Sequence, residues 1–161
     1  MTQGPSYAVL LERLAAEQRR YGSGPQPPCS SDEIERLAEH ARAVLHTDLP
    51  ADYLDFLRVT NGLDWNGVVV YASDTVPIVG HADRSIAGVV EMNVIYRDGG
   101  DFRHLLVLAS DGMDVYTLNV ANGLYEQYDD VPHELIETFV TFDDVMSQIL
   151  ARSQPVLPTE D

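Results

Sequence analysis

The side chains that most often bind metals or act as nucleophiles are scattered along the chain. Five histidines are present, His40, His46, His81, His104 and His133. No two of them lie within five positions of each other, so the sequence does not place two histidines on one turn of a helix. The single cysteine, Cys29, excludes an internal disulfide and a cysteine-rich zinc site. We therefore predict no metal ion and no cofactor.

The motifs of nucleophilic and phosphate-binding enzymes are missing as well. Cys29 precedes a predicted helix, whose N-terminus can lower the pKa of a thiol, but the sequence places no activating partner beside it. The chain has no Gly-x-Ser-x-Gly elbow, no Gly-x-Gly-x-x-Gly loop and no lysine for a Walker motif. We expect the protein not to be an enzyme.

Carboxylate pairs are frequent, and each has a structural explanation. Asp143-Asp144 stands where a helix is predicted to begin, and acidic side chains stabilise that end of a helix. Asp111 and Asp114 flank Gly112 in a predicted turn, but the alternating oxygen ligands and closing glutamate of a calcium loop are missing. These pairs therefore predict neither catalysis nor calcium binding.

Negative charge is concentrated in the second half of the chain. The 161 residues include 26 acidic and 10 basic residues, for a net charge of −16. All ten basic residues are arginines. Residues 98–144 hold eleven of the acids and one arginine. Such a chain is repelled by nucleic acids and by anionic membranes. The acidic segment is interpreted either as a solubilising surface or as a docking face for a basic protein.

Hydrophobic periodicity predicts three helices before residue 63. Ser6 is expected to cap the first of them. Ser30 and Glu33 form a capping-box pattern ahead of a helix over residues 31–46. A short third helix ends at Asn61-Gly62.

The rest of the chain has the pattern of an antiparallel sheet. Strands are predicted at residues 67–72, 76–79, 105–109, 115–120, 124–128 and 138–140. Asn122-Gly123 is the strongest hairpin signal. Residues 85–97 are interpreted as a helix and residues 142–150 as a closing helix. Helices, then a strand meander, then a helix predict an α+β fold.

Length and composition favour one domain. The domain is predicted to span residues 1–151, followed by a flexible tail over residues 152–161. No signal peptide and no membrane-spanning run are visible, so we expect a cytoplasmic protein.

The segment 48–72, DLPADYLDFLRVTNGLDWNGVVVYA, resembles the SUKH superfamily. The features shared with that family are Leu49-Pro50, the aromatic short helix with Tyr53 and Phe56-Leu57, Asn61-Gly62, and the strand that follows. The later strands, an Asp-Gly turn and a final helix also fit, so the resemblance spans roughly residues 30–150. The phrase NGLDWNGVVVYA is most similar to the YrhA-like branch.

The resemblance implies both a fold and a function. The fold would have N-terminal helices packed on a mostly antiparallel sheet of about five or six strands, with a closing C-terminal helix. Many bacterial SUKH proteins look like immunity proteins of polymorphic, contact-dependent or type VI secretion toxin systems, which bind a cognate toxin domain and block its active site. Other members resemble regulatory or scaffold modules, and that interpretation is the alternative.

We expect acidic side chains of the meander to contact a basic, nuclease-like groove of the toxin. The expected contact residues are Asp111, Asp114, Glu126, Asp129, Asp130 and Tyr128. Strand alternation places Glu126 and Tyr128 on one face of the sheet and Tyr125 and Gln127 on the other. Trp65 is interpreted as either a core residue or an exposed anchor. A small-ligand binder would instead need a deep pocket with converging polar groups.

Overall fold

The computed structural model describes residues 4–100, 102–130 and 134–154, and in these ranges the chain forms five helices and eight strands. The helices are α1 (Tyr7–Arg20), α2 (Ser31–Leu45), α3 (Ala51–Val59), α4 (Val89–Asp98) and α5 (Phe142–Ser153). The strands are β1 (Leu63–Trp65), β2 (Val68–Val70), β3 (Val76–Ile78), β4 (His81–Ile86), β5 (Leu105–Ser110), β6 (Asp114–Asn119), β7 (Tyr125–Asp129) and β8 (Leu135–Phe139). Within the described ranges, none of the helices has the length and apolar character needed to cross a bilayer.

Six strands form one sheet in the order β1-β2-β5-β6-β7-β8, and every neighbouring pair in it is antiparallel. The strands β3 and β4 form a separate two-stranded antiparallel sheet. The N-terminal helices precede the sheet along the chain and α5 follows it. The predicted α+β fold with a closing helix is therefore confirmed.

An aromatic cluster joins the helices to the large sheet. The ring of Phe142 on α5 lies 5.9 Å from Tyr7 of α1, 6.4 Å from Tyr53 of α3 and 5.8 Å from Tyr125 of β7, centroid to centroid. Tyr53 is fully buried, and its hydroxyl donates a 2.5 Å hydrogen bond to the carbonyl of Tyr71. Because buried aromatic rings remove large apolar areas from water, this cluster is a major source of stability.

A buried asparagine fastens α4 to the sheet. The Asn93 amide donates 2.8 Å hydrogen bonds to the carbonyls of Val89 and Val107, and its oxygen accepts a 2.7 Å bond from the Val107 amide. The strand β2 pairs with β5 at Ala109 and Ser110, so Val107 lies beyond the end of β2. Asn93 therefore bonds to the Val107 backbone groups where the sheet offers no β2 residue.

The N-terminus of α1 differs from the prediction. The Ser6 side chain does not cap the helix. Instead, the Asp143 carboxylate on α5 accepts hydrogen bonds from the Ser6 hydroxyl and, at 3.0 Å each, from the Ser6 and Tyr7 amides. Burial acts to raise the pKa of Asp143, but these hydrogen bonds outweigh it and lower that pKa. The capping box of Ser30 and Glu33 before α2 is confirmed.

The predicted helix over residues 85–97 begins later than expected. Ser85 and Ile86 complete β4, and α4 starts at Val89. A Cβ atom on Gly88 would lie 2.9 Å from the Cα of Asp74, so glycine is needed where the chain turns into the helix. The valines and isoleucines of this segment favour strands and also fit one helical face, so periodicity alone does not locate the start of the helix.

The hairpin of β1 and β2 is absent from the sequence-based prediction. Trp65 pairs with Val68 across a two-residue loop, in which Asn66 and Gly67 have φ angles of 50° and 82°. Two positive φ angles define a type I′ turn, for which Asn-Gly is the preferred sequence. Trp65 is partly buried against the core, which agrees with its interpretation as a core residue.

The loop between β6 and β7 and the C-terminal end of α5 also differ from the prediction. Asn122-Gly123 closes a longer loop than a two-residue turn, because β6 ends at Asn119 and β7 begins at Tyr125. The helix α5 continues through Arg152 and Ser153, the first two residues of the segment predicted as a tail. Residues 155–161 lie outside the described part of the chain.

Candidate functional site

The six expected contact residues do not form one continuous exposed face. Asp114 and Glu126 are buried, with 9% and 6% of their surface accessible. Asp111, Tyr128, Asp129 and Asp130 are half-buried. Their hydrogen bonds separate them into three groups with different surroundings.

The first group surrounds Arg152 of α5. Its Nη1 lies 2.7 Å from Oδ2 of Asp111 and 3.2 Å from Oδ2 of Asp114. The Tyr116 hydroxyl donates to Asp111 at 2.8 Å, and Gln127 Nε2 donates to Asp114 at 2.7 Å. We call these five residues the Arg152 cluster. The two carboxylates share the positive charge of Arg152 and are largely enclosed, so they are poor candidates for contact with a partner.

Asp111 also shapes the turn between β5 and β6. Its Oδ1 accepts hydrogen bonds from the amides of Met113 and Asp114 at 3.2 and 2.8 Å. Burial acts to raise the pKa of Asp111, but bonds from these amides, Tyr116 and Arg152 outweigh it and lower that pKa below its ordinary value. Asp111 is therefore an ionised structural residue that joins the turn to α5.

The second group lies on the opposite face of β7. Glu126 Oε1 accepts hydrogen bonds from Asn119 at 3.1 Å and from the Tyr128 hydroxyl at 3.0 Å. Burial, and then the bond to Glu126, raises the pKa of Tyr128 to about 12. Tyr128 therefore remains a neutral hydrogen-bond donor, and Glu126 is engaged inside the sheet.

The third group is at the outer end of the meander. Asp129 is the last residue of β7 and Asp130 follows it, and the amide of Asp129 donates a 2.9 Å hydrogen bond to the carbonyl of Glu134. Glu134 and Glu137 are exposed, Glu137 within β8 itself. We call Asp129, Asp130, Glu134 and Glu137 the acidic edge. Two of its four carboxylates, Glu134 and Glu137, are exposed, and the other two are half-buried.

The expected contact residues do not include Glu134 and Glu137, although both belong to the acidic segment, and the sequence predicts β8 only over residues 138–140. The strand runs from Leu135 to Phe139 instead, and Val140 follows it. The sequence Leu-Ile-Glu-Thr-Phe is rich in β-branched and aromatic residues, which was the available signal.

Two surface pockets bear on the small-ligand alternative. One of about 570 Å³ lies between the Gln26-Pro27-Pro28 loop and the two-stranded sheet and is mostly apolar. The Gln26 amide inside it bonds to the carbonyl of Pro77 and the amide of Val79. The other, of about 350 Å³, is lined by charged side chains of both signs, among them Glu33, Arg36 and Glu91. Both are open surface hollows rather than deep pockets with converging polar groups.

The structure also shows where the residues that could bind a metal or act as a nucleophile lie. No three His, Cys, Asp or Glu side chains in the described ranges are placed to hold a metal ion. Burial raises the pKa of the Cys29 thiol, which disfavours the thiolate that reacts. The acidic edge is the strongest candidate for a protein-binding site among the described residues.

Comparison with known proteins supplies the class. The model of the SMI1 / KNR4 family (SUKH-1) matches residues 28–148, which run from the loop before α2 into α5 and include the whole large sheet. The chain belongs to the SMI1 / KNR4 family (SUKH-1), and the SUKH resemblance is confirmed at this level. Its YrhA-like branch stays a prediction. No curated protein matches the chain.

Proposed function

We propose that the chain is an immunity protein that binds and neutralises a cognate toxin domain in the cytoplasm. Family membership supports this role, because many bacterial SUKH proteins resemble immunity proteins. The observation that carries the proposal is the acidic edge, where four carboxylates lie close together along the chain on a protein of net charge −16.

The acidic edge suits a partner with a basic groove, such as a secreted nuclease delivered by a type VI or contact-dependent system. Carboxylates can occupy positions that such a groove provides for phosphates. Complementary charge also accelerates the encounter of the two proteins. Neutralisation then follows from occupancy of the groove, with no bond made or broken by the immunity protein.

Co-expression tests the proposal. The C-terminal domain of the protein encoded immediately upstream, about 150 residues long as a single domain, is expressed in a test bacterium with and without this chain. We expect the domain to kill alone, and this chain to prevent killing and to co-purify with the domain. A toxic domain that is neither bound nor neutralised would favour the regulatory or scaffold alternative.

Charge reversal tests the surface. The double variant Asp129→Arg, Asp130→Arg should associate with the toxin domain at least tenfold more slowly, because an attractive field at the edge becomes repulsive. The measurement is the association rate by surface plasmon resonance at low salt.

A matched control is Glu35→Arg with Glu39→Arg, which makes the same change in net charge at two exposed positions of α2. This variant should associate at nearly the wild-type rate. Equal slowing of both variants would show that net charge acts without a localised site and would remove the acidic edge from the proposal.

A further inference from the structure

Among the described residues, the large sheet has two edge strands, β1 and β8, and β8 is the longer and more open of them. The other edge, β1, has three residues and is flanked by side-chain bonds from Arg84 to Asp64 at 3.3 Å and from Asn66 to the Ser153 carbonyl at 2.7 Å. The strand β8 has five residues, and within the described ranges it pairs only with β7. In an antiparallel strand, every second residue points its N–H and C=O groups away from the paired neighbour.

The side chains of β8 are unusually apolar for such an edge. Leu135 is 52% exposed and Ile136 is 51% exposed, and Val140 just beyond the strand is 75% exposed. Proteins usually protect edge strands with lysine, proline or inward-pointing charges. Here, Glu137 is the one charged residue within the strand.

The edge of the small sheet provides a comparison. The exposed residues of β4, from Ala82 to Ser85, include Asp83 and Arg84 and no large apolar side chain. Arg84 is also engaged with Asp64. Exposed apolar side chains beside an open edge are thus a property of β8 and not of every exposed strand in the fold.

We propose that β8 is a docking edge at which an extended segment of a basic partner protein adds as the next strand of the sheet. Main-chain hydrogen bonds to β8 would supply affinity, as in other strand additions. Leu135 and Ile136 would contact apolar side chains of the added strand, and Glu134 and Glu137 would pair with its lysines or arginines. This inference rests on the proposed function and gives the toxin domain a mode of recognition.

Charge decides which occupant fits. A second copy of the chain would bring another net charge of −16 to the same place and would set the Glu134 and Glu137 side chains of the two copies near each other. Like charges across a strand pair are destabilising. A basic segment turns the same carboxylates into attractive contacts, so we assign the edge to a basic partner.

Hydrogen–deuterium exchange of the complex with the upstream-encoded C-terminal domain tests the mode of binding. Strand addition forms new hydrogen bonds to the outward amides of β8, so we expect deuterium uptake in peptides covering residues 134–140 to slow at least tenfold on binding. Side-chain contact alone leaves those amides free to exchange.

The variant Leu135→Ser, Ile136→Ser should weaken the complex at least tenfold in Kd. Its control is Val94→Ser with Ile95→Ser, which removes two apolar side chains that are 47% and 63% exposed on α4. The control should bind as the wild type does. Thermal melts of both variants exclude unfolding as the cause.

Each outcome has one meaning. A complex that forms and neutralises without slower exchange in β8 overturns strand addition and leaves the proposed function in place. The absence of both binding and neutralisation overturns the two proposals together. Exchange in β8 that slows with protein concentration in the absence of the toxin domain assigns the edge to a second copy and overturns the assignment to a basic partner.

Discussion

Arg152 changes the meaning of two acidic residues. In the sequence, Asp111 and Asp114 add to a negative surface, whereas in the fold their side chains are 9% and 11% exposed and pair with Arg152 of α5. The number of acidic residues along the chain therefore overstates the negative charge presented to a partner. Arg152, 38 to 41 positions away in the sequence, offsets part of the charge of these two carboxylates.

Replacing Asp111 by Asn should destabilise the protein by about 1–3 kcal/mol at pH 7, since hydrogen bonds to a charged carboxylate are lost. The folded-state pKa of Asp111 is lowered, so its contribution is present above the unfolded pKa near 3.9 and is lost as the pH falls through the folded pKa. The difference in unfolding free energy between wild type and variant should therefore shrink below about pH 4. Urea titrations at several pH values measure it.

Asp83→Asn is the control for this titration. Asp83 is exposed on β4, and its side chain makes no hydrogen bond to another described residue. Its removal should change the unfolding free energy little at any pH. If the unfolding free energies of the wild type and the Asp111 variant differ by the same amount at pH 7 and at pH 2, the ionised carboxylate does not have this role.

At the level of elements, α1 is held by a residue from the far end of the chain. The helix precedes residues 28–148, which the family model matches. The carboxylate of Asp143 nevertheless accepts hydrogen bonds from the amides of Ser6 and Tyr7. A helix N-terminus leaves its first amides without partners inside the helix. The first turn of α5 therefore supplies the hydrogen-bond acceptor for the first amides of α1.

Replacing Asp143 by Ala should cost about 1–2 kcal/mol, the usual effect of losing an N-terminal cap. Asp144→Ala is the matched control, because Asp144 is the neighbouring acid in the same first turn but is exposed. Urea-induced unfolding compares the two variants. Equal losses would assign the effect to the dipole of α5 instead of to the contact with α1.

Prediction from sequence succeeded where one local signal dominated. The capping box before α2, the short aromatic helix α3 and the meander of β5 to β7 follow from spacing and periodicity. The start of α4 and the length of β8 did not, because valine, isoleucine and threonine there fit more than one structure. Asn66-Gly67 has the preferred sequence of a type I′ turn, but the predicted strand begins at Gly67 and so leaves this hairpin out.

The acidic edge could be predicted only in part. Asp129 and Asp130 follow from the strand pattern, but the burial of Asp114 and Glu126 depends on partners in other elements. Arg152 reaches Asp114 from α5, and Asn119 reaches Glu126 from the neighbouring strand. Pairings between elements are set by tertiary packing, and the local sequence does not record them.

For the whole molecule, a net charge of −16 implies repulsion within the folded state. Raising NaCl from 0.01 M to 0.15 M shortens the screening length from about 30 Å to about 8 Å. We expect Tm to rise by about 2–4 °C, the shift that ~1 kcal/mol produces in a chain of this size. Differential scanning calorimetry measures the change.

The variant Glu35→Arg, Glu39→Arg has two fewer negative and two more positive charges, which lowers its net charge from −16 to −12. It should therefore show a smaller rise in Tm over the same salt range. An equal rise in the two proteins would mean that salt acts through something other than charge repulsion.

The strand β8 contributes one residue, Phe139, to the core, while its other four residues are exposed. Selection for a stable fold and selection for a particular partner therefore act on separate positions of this strand. Substitutions at residues 135–138 should therefore change the contacts offered to a partner at little cost in stability, as is usual for exposed positions. The edge is thus a place where the specificity of related proteins can diverge rapidly around a constant scaffold.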